Sequence, residues 1–236
     1  MVPYLMTASP VEIIHADETL VVVAKAPGTP TQPDQTGDSS VLTLVQELIG
    51  SRLWPVHRID RPASGIVLCA RTTAAAAELS AQLASGRMER RYWALVAATD
   101  LPDSGELADR LVHDRRLNKS FVRTEGKQSA LHYWVRGRGE RYSLLEIALR
   151  TGRHHQVRAQ LAHQGWPVRG DVKYGARRTL PGGGICLHAV RISLTHPVTG
   201  ERLTFTTRPP SDPLWDALST GIQPADGPDN DAPTHR

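Results

Sequence analysis

One carboxylate between two arginines is the feature on which chemistry could rest. The run His57-Arg58-Ile59-Asp60-Arg61-Pro62-Ala63-Ser64-Gly65 sets Asp60 among turn formers, just ahead of the apolar stretch Ile66 to Ala70. Nearby positive charge lowers a carboxylate's pKa, so Asp60 is expected to stay ionised well below neutral pH and to serve as nucleophile or base. An Arg-x-Asp-Arg string on a loop is more often a plain ion pair. The neighbours Pro62, Ser64 and Gly65 alter that reading, because an abrupt turn entering a buried strand presents a side chain on a rigid support. Two other places could work with it. Arg87 to Arg91 holds three arginines, among them Arg90 and Arg91, immediately before an expected strand, Tyr92 to Val96. Thr151 to Arg158 opens an expected helix running to about His163, with Val157 and Leu161 on its buried side, Arg158 at the rim of that face and Arg153 in the first turn. The helix dipole opposes a cation at that end, which implies an anionic partner for Arg153.

Spacing argues against other chemistries. His154, His155, His163, Cys186 and His188 crowd one part of the chain, yet neither C-x-x-C nor H-E-x-x-H occurs. Adjacent histidines on a helix point about 100° apart and cannot both face one ion well, so no metal is expected. A P-loop, a dinucleotide glycine fingerprint and G-x-S-x-G are all absent, which leaves no sign of a nucleotide cofactor or a serine hydrolase.

The elements that must position these groups follow from periodicity. Val11 to Ile14 and Leu20 to Ala24 read as strands, and Thr29 to Asp38 as a surface loop. Val41, Leu44, Val45 and Leu48 form the buried stripe of a helix capped by Ser39 or Ser40 and stopped by Gly50. An Ala-rich helix starts at Thr72 or Thr73, buries Leu79 and Leu83, and stops at Gly86. Thr99 to Arg123 is polar, with exposed hairpin tips at Asp103-Ser104-Gly105 and Arg115 to Lys119, and no catalysis is assigned to it. Lys127 to Val135 and Tyr142 to Leu149 should pair antiparallel through the turn Arg136-Gly137-Arg138-Gly139, whose arginines could meet phosphates. Ile185 to Ile192 and Arg202 to Thr206 form a closing pair of strands. The expected domains are an extension over residues 1–10, one catalytic body over 11–215, and a disordered tail over 216–236 whose end, Ile222 to Arg236, carries three aspartates and no apolar cluster.

Composition fits a single body that handles RNA. The 236 residues are 40% hydrophobic, enough for one large core. Lys plus Arg is 28 against 24 for Asp plus Glu, a net charge of +4, and the pI is about 9.3. Arginine dominates the basic set, and its planar fork grips phosphate and stacks on bases. Two cysteines, Cys69 and Cys186, each lie in a short apolar run far from a second thiol, which implies a reducing compartment. No apolar run is long enough to span a bilayer, so a cytoplasmic protein without membrane contact is expected.

The motif around Asp60 resembles the catalytic motif of the RluA-like RNA pseudouridine synthases, with Ile59 where leucine is usual and Ala63 where threonine is usual. Tyr92 matches that family's basic-x-Tyr-x-Ala motif, with Arg90 in place of lysine. Leu149 to Ala162 with Gly165 through Gly175 resembles its third motif, in which threonine more often stands at His154. Leu187-His188-Ala189 and Thr195-His196-Pro197 resemble its closing strands. Four matches in the family's order span roughly residues 11 to 208. The resemblance implies an α+β fold, a mixed and mainly antiparallel sheet flanked by helices around a central cleft. It implies Asp60, Tyr92 and Arg158 as catalytic residues and Arg58, Arg61, Arg90, Arg91, Arg153, His155 and Gln156 as RNA contacts. It also implies a structured RNA partner (ribosomal or transfer RNA), no cofactor, no metal and a monomer. Many members of that family carry a separate N-terminal RNA-binding domain, whereas here the expected strands begin near Val11, so target choice is expected to come from the body itself. Arg58 would fill the place of a flipped uridine, Asp60 would permit cleavage of C1'–N1, Tyr92 would stack on the uracil and is a candidate for proton removal from C5, and Arg158 would hold Asp60 ionised. An inactive RNA-binding module would have no use for Asp60, whose charge repels phosphate. A metal-dependent nuclease would need clustered carboxylates.

Overall fold

A computed structural model describes residues 9–181 and 183–224. Eleven strands form one sheet. In chain order they are β1 (Val11–Ala16), β2 (Leu20–Lys25), β3 (Trp54–Pro55), β4 (Ser64–Ala70), β5 (Glu89–Val96), β6 (Ser104–Asp114), β7 (Lys119–Val122), β8 (Lys127–Arg138), β9 (Ser143–Leu149), β10 (Leu187–Thr195) and β11 (Arg202–Thr206). The helices are α1 (Val41–Ile49), α2 (Thr73–Ala84), α3 (Gln156–His163) and α4 (Pro213–Ser219), with a 3₁₀ turn at Val172–Tyr174. The main path across the sheet is β1-β2-β4-β10-β5-β9-β8-β6-β7, with β3 beside β4 and β11 beside β10. Among the described strands only β4 and β10 pair parallel, so the expected mixed, mainly antiparallel α+β architecture stands.

That parallel pair lies at the centre, and the carboxylate turn feeds directly into it. Every residue of β4 is buried, as expected of a strand covered on both faces. Gly65 opposes Ala189 at φ +115, and a Cβ there would stand 2.4 Å from the Ala189 carbonyl oxygen, so only glycine allows the two backbones to approach. Ser64 Oγ and His188 Nδ1 lie 2.8 Å apart across the same junction. Two apolar cores cover the sheet. The larger joins Val21, Val23, Val67, Leu95, Ile147 and Leu161, and the smaller packs Leu68 and Ile192 against α2 through Leu79.

Both long helices are capped as their sequences dictate. Ser40 Oγ accepts from Thr43 N and Gly50 closes α1 in the left-handed conformation, while Thr72 Oγ1 accepts from Ala75 N at the start of α2. Other expectations need correction. Leu48 is 65% exposed, because α1 buries only Val41 and Val45. The expected tip at Arg115 to Lys119 is present as the exposed turn between β6 and β7, but Asp103-Ser104-Gly105 leads into β6 instead of forming a second tip, and Leu107 and Leu111 alternate toward the core while polar residues face out. Arg136 and Arg138 belong to β8 and not to its turn: Arg136 Nε donates to the buried Glu146 at 3.0 Å, and Arg138 donates to Asp103 and to the Thr99 and Leu101 carbonyls. The domain boundary at 215/216 cuts through α4, whose Trp215 is 4% exposed, and Ile222 also packs on the core. The rest of the expected tail, 225–236, and most of the N-terminal extension, 1–8, lie outside the described residues.

Candidate active site

The Asp60 loop is held from below by a lysine. In β2, Val21, Val23 and Lys25 share one face by strand alternation, and the two valines enter the core. Lys25 Nζ sits 2.7 to 3.0 Å from the carbonyl oxygens of Ala26, Thr29, Arg61 and Ala63, so one ammonium ties the loop after β2 to the turn around Asp60. Burial pulls its pKa down to about 7, and the Asp60 carboxylate acts the other way. Thr31 Oγ1 adds a second tie, donating to Ile59 O at 2.9 Å, and Ala63 N donates to Asp60 O to close the turn.

Asp60 lies in a cavity of about 480 Å³ whose wall includes Arg58, Arg90, Tyr92 and His154. Arg158 Nη1 donates to Asp60 Oδ2 at 3.2 Å across a separation of 98 residues. The guanidinium is itself fixed by Asp171, to which Nε and Nη2 donate at 2.6 and 2.8 Å, and it lies 4.8 Å from the Tyr174 ring centre. Its Nε and Nη2 edge is thus committed to Asp171, and Nη1 is presented to Asp60. The expectation that flanking arginines would hold Asp60 below the ordinary carboxylate range fails. Burial raises its pKa, outweighing the opposing pull of Arg158 and then of Arg58, and the Asp171 carboxylate adds to the rise. Tyr92 is buried in the same wall. Burial pushes its phenol up, which keeps it protonated and makes it a poor base.

His155 comes within 4.0 Å of Asp60 Oδ2 through Nε2. It stands just before α3 in the left-handed region, φ 51, an unusual conformation for a residue with a side chain and one that recurs at functional sites. Burial, then the Arg158 cation, pull its pKa down to about 2, so the neutral ring makes no ion pair with Asp60. His155 Nδ1 meets the Tyr174 hydroxyl at 3.0 Å, and that hydroxyl donates to Ser120 O. The rings of His154 and His155 were expected to diverge on a helix. Both precede it instead, and they stack at 3.8 Å.

Not every expected RNA contact reaches the cavity. Arg58 is exposed at its wall and Arg90 lines it. Arg61 binds Gly28 O, Thr36 and Asp38, and so clamps the 29–38 loop. Arg91 follows strand alternation to the opposite face, where it meets the buried Glu146 and stacks over Trp134. Arg153 also lines the cavity; it precedes α3 and donates to Gln128 O, which removes the helix-dipole argument for an anionic partner. Gln156 touches the cavity but commits its amide to Thr151, Arg153 N and Ala130 O. Sequence reading missed Lys25, Asp171 and Tyr174. Lys25 had a signal, a charge on the core face of an apolar strand, whereas nothing local marked Asp171 as the anchor of Arg158.

The sequence profile of RNA pseudouridylate synthase matches residues 19–163. The ribosomal large subunit pseudouridine synthase D of Xanthomonas campestris pv. campestris is 31% identical over 226 residues, covering 86% of this chain and 67% of that protein. The tRNA pseudouridine synthase C of Yersinia pestis is 31% identical over 236 residues, covering 89% of each. Among solved structures, human RNA pseudouridylate synthase domain containing 1 matches with a TM-score of 0.73 at 22% identity, over 88% of this chain and 87% of that one, a likeness of fold.

Proposed function

The chain belongs to the RNA pseudouridylate synthase family and is an isomerase acting on uridine in RNA, and from that premise we propose that Asp60 carries out the isomerisation on a uridine of ribosomal or transfer RNA. One observation carries this reading: Asp60 is the carboxylate of a cavity large enough for a nucleotide, and Arg158, locked by Asp171, is aimed at it. The target nucleotide leaves its stack, because its glycosidic bond and C5 are out of reach inside folded RNA. Arg58, exposed at the cavity wall, takes the vacated place. Asp60 acts at the ribose or the base, as nucleophile or as general base; C1'–N1 breaks with its electron pair going to N1, the uracil turns, and C1'–C5 forms with release of any bond to Asp60. The proton lost from C5 is balanced by the one gained at N1.

Tyr92 packs against the uracil, and its protonated phenol suits it to stacking better than to proton removal. Arg90 supports the base or its phosphate. Arg158 keeps Asp60 ionised against burial. No step calls for a cofactor or a metal ion. The protein works as a monomer in the cytoplasm; two buried free cysteines suit a reducing compartment, and no described helix is long and apolar enough to cross a membrane. Pseudouridine mapping of ribosomal and transfer RNA with and without the protein tests the proposal. A position that disappears without the protein, returns with wild type and does not return with Asp60→Asn is expected; restoration by Asp60→Asn would overturn the role of the carboxylate.

A further inference from the structure

Three imidazoles pile up beside Asp60. His155 lies against His154 at 3.8 Å between ring centres and 23° between planes, and His154 lies against His113 at 3.8 Å and 27°. The middle ring is held from β7, where Ser120 Oγ donates to His154 O at 2.6 Å and lies 3.1 Å from Nδ1. The inner ring is held by Tyr174. Burial pulls His154 down to about 4 as well, so the two inner rings are neutral and stack without charge repulsion.

The pile runs outward from the cavity and ends on an exposed ring. His113 projects from β6, and beyond it the turn into β7 carries exposed Arg115 and Arg116, with exposed Arg123 after β7. The acid beside it, Asp114, accepts from Leu117 N within that turn. A flat ring at the end of a stack, with cations a few residues away, is what a single-stranded nucleotide requires: a face for the base and charge for the phosphates. A histidine on a solvated strand would need neither a partner ring nor a second ring behind that. His154 touches both neighbours, so the bridge from His113 to His155 depends on it.

Resting on the reading that the chain acts on RNA, we propose that a base of the substrate neighbouring the flipped uridine stacks on His113 as the fourth ring of the pile, which makes the β6–β7 hairpin part of the RNA site. The probe is a single-stranded RNA nonamer of uridines carrying one 2-aminopurine, placed at each position in turn, because its fluorescence is quenched on stacking. Wild type should quench one or two positions. His113→Ala should lose that quench and bind the nonamer roughly tenfold more weakly, within the range of base stacking on an aromatic side chain. His113→Phe should restore both, and His154→Thr should lose the quench by removing the support. Equal quenching and affinity in wild type and His113→Ala, no quenching at any position, or His113→Phe behaving as alanine would each overturn the proposal. The assay contains no turnover, so a failure to form pseudouridine overturns the catalytic reading alone, while normal pseudouridine formation with unaltered quenching overturns only the fourth ring.

Discussion

Asparagine at position 60 should leave the protein inactive and more stable. Asp60 is 17% exposed, and burial raises its pKa above the value of about 3.9 that it has in an unfolded chain. The sign of the effect follows from that direction. A folded state with the higher pKa binds the proton more readily, so the contribution of this group is most favourable below the unfolded pKa and is lost as pH rises through the folded one. At neutral pH the ionised carboxylate is therefore a cost, because burial outweighs the pull of Arg158. Asparagine has the shape of the protonated acid and escapes that cost. Arg158 is not orphaned by the change, since two of its three bonds, at 2.6 and 2.8 Å, go to Asp171 and the one lost is the longest, at 3.2 Å. A gain in stability is expected, read as a rise in Tm at about 2–4 °C per kcal/mol in a domain of this size. Scanning calorimetry of both proteins at pH 8 should show the rise, and the difference should shrink as the pH is lowered toward about 4. RNA affinity should stay within a few fold while turnover disappears. A fall in Tm at pH 8 would show that Asp60 is kept for its ion pair, and the assignment of a desolvated reactive carboxylate would be wrong.

Arg158→Met should have the opposite effect on stability, because it leaves Asp60 and Asp171 as neighbouring buried anions. A cost of about 3–5 kcal/mol, or on the order of 10 °C in Tm, is expected by calorimetry. Loss of a cation that lowers the Asp60 pKa should also move the acid limb of kcat/KM to higher pH, while Arg58→Met, at an exposed residue, should move it less; an unmoved limb in Arg158→Met would separate Arg158 from Asp60. Lys25→Met should lower the urea midpoint sharply, at about 1–3 kcal/mol for each carbonyl left dry among the four it binds, and depress kcat through the Asp60 turn. Deleting residues 225–236 should alter neither Tm nor turnover. Deleting 213–236 removes Trp215 and should cost several kcal/mol, read as a collapse of the unfolding midpoint.

Local chemistry made most of the secondary structure legible. The β-branched run in Leu20 to Ala24, the apolar run after Gly65, and the caps at Ser40, Gly50 and Thr72 act over a few residues, so a linear reading reaches them. Asp60 was legible for the same reason, since turn formers and a buried strand flank it. The pairing of Arg158 with Asp60, 98 residues apart, came from resemblance and from the need of a buried anion for a cation. What the fold alone decided concerns where side chains go once strands pair. Alternation sends Arg90 and Tyr92 to the cavity and Arg91 to Glu146, although the three are consecutive in one basic stretch. Strand β6, too polar to read by hydropathy, is fixed by its pairing with β8 and brings His113 to His154. Asp60 itself shows the division most plainly: its sequence neighbours are cations, which argued for a lowered pKa, but desolvation depends on what packs around the group in three dimensions, and burial in the cavity wall reverses the direction.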